Sequence, residues 1–102
     1  MTRREVIIAI KTAVLYKHAI DPDAEDRERE LAYVQRVHGA INSLPLIQQL
    51  VICARYFEPD ADYLTDVEVI DRIGVSSMFF RQTREKALEN LSKSLSAANE
   101  IE

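Results

Sequence analysis

Residues 65–91 read TDVEVIDRIGVSSMFFRQTREKALENL, and this stretch decides the fold. Thr65-Asp66-Val67-Glu68 is a capping box: the Thr hydroxyl can accept the Glu68 amide while the Glu carboxylate accepts the Thr65 amide. It predicts a short helix with Val67, Ile70 and Ile73 turned inward. Gly74 is the natural left-handed stop, because only glycine adopts positive φ without steric cost. A single residue, Val75, separates it from Ser76, a good N-cap. A longer helix then follows, with Phe80, Thr83, Ala87, Leu88, Leu91 and Leu95 recurring at helical spacing as its inner face.

Outward from this stretch the chain also reads as helical. Residues 4–20 form one pattern, with Val6, Ile7, Ile10, Val14 and Leu15 spread around it and Ile8 elsewhere. A helix apolar on most sides is central in a core or packed on a second subunit. Asp21-Pro22-Asp23 is expected to stop it. Asp23–Glu30 is acidic, which suits the N-terminal end of the next helix. That helix is expected to run to about Ser43 on Leu31, Val34, Val37 or His38, Ile41 and Leu44. Pro45 predicts the first turn of a third helix, with Leu46, Ile47, Leu50, Val51 and Ala54 inward and Tyr56 and Phe57 at its close. Glu58–Asp62 reads as a turn-rich connection. Residues 97–102 are expected to fray. The expected fold is all-α, about five helices in a single domain over 1–102. Residues 1–43 complete the core or dimerise, and 44–96 are the functional part.

Composition narrows the function classes. The 102 residues are 47 % hydrophobic and 29 % charged, which fits a globular chain. With one cysteine there is no internal disulfide framework. Apolar runs fall short of the roughly 20 residues that span a bilayer, so no membrane association and a cytoplasmic location are expected. The net charge of −4 argues against indiscriminate coating of nucleic acid, but phosphate contacts need only local positive charge. Residues 58–71 hold six acids and no base, whereas 81–93 hold four bases against two acids.

No catalytic or metal constellation can be argued, so neither an enzyme nor a cofactor is expected. His18 and His38 stand at no ligand spacing. Cys53 reads as a buried, inert thiol. Asp60-x-Asp62 lacks the glycine and glutamate of a calcium loop.

A short capped helix, a glycine turn and a longer helix with basic outward residues make the helix-turn-helix layout, in which the second helix lies in the major groove of double-stranded DNA. The candidate contact residues are Ser76, Ser77, Met78, Arg81 and Gln82 in the leading turns, with Arg84 and Lys86 as phosphate clamps. Phe79 stands between a core edge and a thymine-methyl contact.

Ile41–Leu91 resembles region 4 of the primary sigma factors. The resemblance lies in Leu44-Pro45, Arg55-Tyr56, Leu64-Thr65, Ile70, Arg72, Gly74-Val75-Ser76, Arg81-Gln82 and Lys86-Ala87-Leu88. It departs at Ser77, Met78 and Phe79, where sigma factors usually carry charged residues. The chain is also similar to ArpU-type phage and prophage regulators, in Ile41-Asn42, Leu44-Pro45, Thr65-Asp66, Glu68-Val69 and Lys86–Glu89. These resemblances imply a sequence-specific regulator of phage or prophage late genes in a bacterial or phage-infected cell. They also leave open an interaction module that docks on RNA polymerase or another regulator. A homodimer through residues 6–20 is expected.

Overall fold

In the computed structural model, residues 1–19, 25, 27–58 and 60–101 are described. They are all-α: α1 (Arg3–Ala19), α2 (Arg27–Asn42), α3 (Leu46–Ile52), α4 (Asp66–Ile73) and α5 (Ser77–Ile101). The expected stop at Asp21-Pro22-Asp23, and Pro59 in the expected turn, lie outside the described residues. Helix α5 continues to Ile101, past the point where fraying was expected.

Local chemistry sets the ends of α4 and α5. Thr65 Oγ1 accepts the Glu68 amide at 3.3 Å and the Thr65 amide donates to Glu68 Oε1 at 3.5 Å, so both halves of the capping box form. Gly74 closes α4 at φ 79°, its amide donating to Ile70 O at 2.9 Å. Ser76 Oγ then accepts the Phe79 amide at 3.1 Å and starts α5. Pro45 stands one position earlier than expected, as the N-cap of α3. Its carbonyl accepts the Gln48 and Gln49 amides. The Gln49 side-chain amide donates to Leu44 O at 2.8 Å and to Asn42 O at 3.2 Å, satisfying carbonyls that the end of α2 leaves open. Helix α3 runs on into a π-helical turn, Cys53–Phe57, and a 3₁₀ turn, Ala61–Tyr63, leads to α4.

The buried side chains form two cores. The larger joins Val6, Ala9, Ile10 and Ala13 of α1 with Val37, Ala40, Ile41, Leu44, Ile52 and the α5 residues Ala87, Leu88, Leu91 and Leu95. Residues 6–13 thus spend most of their apolar surface inside the chain's own core, leaving Ile8 and Leu15 exposed. The smaller core holds Val51, Val69, Ile70 and Phe80 and fixes the start of α5 against α3 and α4.

Two inward faces differ from expectation. In α4 the buried residues are Val69 and Ile70, and Val67 is exposed, because the side of the helix that packs against Val51 and Phe80 is the one carrying Val69 and Ile70. In α3 the inward residues are Gln48, Val51 and Ile52, whereas Leu46, Ile47 and Leu50 face water. Gln48 is buried because Asn90 Nδ2 donates to its Oε1 at 3.0 Å, which satisfies it against α5. Cys53 is likewise exposed rather than buried. Among the described residues, no helix is long and apolar enough to cross a membrane.

Candidate nucleic-acid interface

Phe80 anchors the leading half of α5. It is fully buried and sits under the Arg84 guanidinium at 5.3 Å. With Phe80 fixed inward, helical geometry turns Met78, Gln82 and Lys86 to the opposite side as one row of i, i+4 spacing, with Arg81 flanking it. Ser77, Met78, Phe79, Arg81, Gln82 and Lys86 are all exposed, Met78 at 70 %. Ser76 is exposed too, and its hydroxyl accepts the Phe79 amide as the N-cap of α5.

Arg84 departs from its expected role. Its side chain is only 12 % exposed and donates to Asp66 Oδ2 at 3.0 Å. Its Nε is buried without a hydrogen bond, 3.7 Å from Glu85 Oε1. Asp66 also takes Arg55 Nε at 2.8 Å, and Arg55 reaches on to Ala61 O at 3.1 Å. Burial pushes the Asp66 carboxyl up, but the two guanidiniums outweigh it and hold it below the ordinary carboxylate range. Arg84 is therefore a brace between α4 and α5, not a phosphate clamp. A π-turn, the first residue of α4 and the second turn of α5 meet at one carboxylate.

Another acid on the surface of α5, Glu85, is neutralised from the far end of the chain. Arg3 Nε lies 2.9 Å from both carboxylate oxygens, and Arg3 Nη2 is 2.8 Å from Oε1. That hydrogen-bonded pairing holds the Glu85 carboxyl below its ordinary value. Arg81 and Lys86, by contrast, have no acidic partner within 4.0 Å among the described residues. The leading turns of α5 thus present two uncommitted cations, an amide, a hydroxyl and two apolar side chains, with the adjacent carboxylates already paired.

Sequence reasoning found the exposed row but missed Arg3, Arg55 and Asp66. No local pattern signals a pair separated by 82 residues. Among the described residues, no group of three or more His, Cys, Asp or Glu side chains could hold a metal ion. His38 packs edge-on to Phe57 at 5.4 Å, and burial pushes its pKa down, with Lys17 adding to the shift. Compared with protein-family models, with curated proteins and with solved structures, the chain matches none of them.

Proposed function

We propose that this chain is a sequence-specific, DNA-binding transcription regulator of phage or prophage late genes that works in the cytoplasm. A two-turn capped helix, a glycine turn and a long helix with an open, cationic leading face form a helix-turn-helix. In this role α4 braces α5, and the leading turns of α5 lie in the major groove. Gln82 has the donor and acceptor pair that suits adenine, and Arg81 has the fork that suits guanine. Lys86, further along, meets phosphate. Met78 and Phe79 offer apolar contact to thymine methyl groups. As a homodimer on a two-fold site, the chain would double the cationic contacts of a subunit whose net charge is −4.

The observation that carries this proposal is that Arg81 and Lys86 stand uncommitted on the leading face of α5 while the neighbouring Asp66 and Glu85 are paired. The test is selection of bound DNA fragments followed by a salt titration of the winner. Affinity should fall linearly in log salt, and Lys86→Ala should reduce the slope by about one.

A second reading, docking on RNA polymerase or another regulator without DNA contact, is favoured by the apolar Met78 and Phe79 at the head of α5. Absence of DNA binding even at low salt would select it over the first.

A further inference from the structure

Helix α3 is amphipathic in an unusual sense. Its inner face is satisfied by α5, and its outer face is apolar as well. Leu46 is 81 % exposed and Ile47 and Leu50 are 43 % and 49 % exposed. With Gln49 and the Cys53 thiol they line an open groove of about 610 Å³. No Asp, Glu, Lys or Arg occurs between Arg36 and Arg55, the longest such interval in a chain that is 29 % charged.

We propose that this face of α3 is where two copies of the chain pair. Three observations favour a second copy as occupant. First, each copy carries a net charge of −4, so two copies repel except where the contacting surface is uncharged, and α3 is that surface. Second, Leu46 and Leu50 of α3 and Cys53 just beyond its end line one open face at spacings of four and three, the spacing at which side chains meet across a two-helix contact. An apolar seam without charges is complementary to itself across a two-fold axis. Third, the inner face of α3 grips α5 through the Gln48–Asn90 hydrogen bond and the Val51–Phe80 core, so pairing at α3 fixes two copies of the α5 leading turns relative to each other.

The exposed apolar patch is built from Leu46, Ile47, Leu50 and Cys53, far fewer than the roughly 20–30 residues a side of a standard interface. A contact of this size makes the pairing weak and concentration-dependent. It deepens the dimeric part of the proposed function, but is measured without DNA, so the two can fail separately.

Sedimentation equilibrium of the full chain over a roughly hundredfold concentration range tests it. The mass should rise from 11.7 kDa toward twice that value. Leu50→Glu should remain at the monomer mass throughout, with unchanged circular dichroism because the site is exposed. Leu15→Glu, on the exposed part of α1, should still dimerise. Alkylation of Cys53 in the unaltered protein needs no variant and should slow several-fold as concentration rises. A wild-type mass that stays monomeric overturns the proposal and leaves the groove to a different partner. Dimerisation that survives Leu50→Glu, or Cys53 alkylation that ignores concentration, overturns it equally.

Discussion

Helices α3 and α5 grip each other and turn opposite kinds of surface to water. The outer row of α3 is Leu46, Ile47 and Leu50 without a charge among them, and the leading row of α5 is Met78, Gln82 and Lys86 with Arg81 beside it. Both rest on the same small core of Val51, Val69, Ile70 and Phe80. The difference teaches that burial in this chain is set by which side α5 occupies, not by where apolar residues are densest. Helix α3 has apolar side chains to spare, and its contact with α5 takes a glutamine inward and leaves leucines out. Helix α5 has one long apolar stripe, and everything off it is free to be polar.

The comparison breaks most completely if the shared core is removed. Phe80→Ala should cost about 3–5 kcal/mol, read as a lower urea midpoint, and should loosen both faces together. Asp66→Ala should come next, at about 2 kcal/mol, because it strands two largely buried guanidiniums on different elements. The same carboxylate makes a pH prediction. Its folded pKa is depressed, so its contribution is fully present above the unfolded value and is lost as pH falls through the folded one. Acid should therefore lower the urea midpoint, and Asp66→Asn should flatten that fall. It should not abolish it, since Asp60 and Glu85 are shifted the same way.

Two milder changes sharpen the contrast between the faces. Arg81→Ala should weaken specific DNA binding by about 1–3 kcal/mol and leave the urea midpoint nearly unmoved, since the side chain is exposed and unpaired. Unweakened binding would remove Arg81 from the interface. Arg3→Ala should have the smallest effect, a few tenths of a kcal/mol on DNA affinity at low salt, because it unmasks Glu85 beside the cationic row. Its effect should disappear as salt is raised.

Local chemistry explains what was legible beforehand. The capping box at Thr65, the stop at Gly74, the cap at Ser76 and the inner stripe from Phe80 to Leu95 are all short-range patterns, and each forms as read. The exposed row on α5 followed from that stripe. The face of α3 was not legible, because a helix with apolar residues at 46, 47, 50, 51 and 52 fits several orientations equally well. What separates them is tertiary: Val51 and Ile52 are buried in the two cores, and Asn90, 42 residues away, donates to the Gln48 that is buried beside them. The error at Val67 has the same origin, since Val67 and Val69 differ only in which tertiary neighbour they meet. Arg84 looked like a cation for phosphate until Asp66 stood opposite it.

The π-helical turn at Cys53–Phe57 accommodates one more residue than an α-helical turn would. Within the turn the extra residue shifts the bearings of Arg55, Tyr56 and Phe57 from where an α-helical ending would aim them, before the chain becomes extended at Glu58. Shortening the chain by one residue there, at Ala54 for instance, would restore the ordinary winding and swing Arg55 off the bearing that delivers it to Asp66. The Arg55–Asp66 tie between this turn and α4 is in this sense indexed by the length of a five-residue segment.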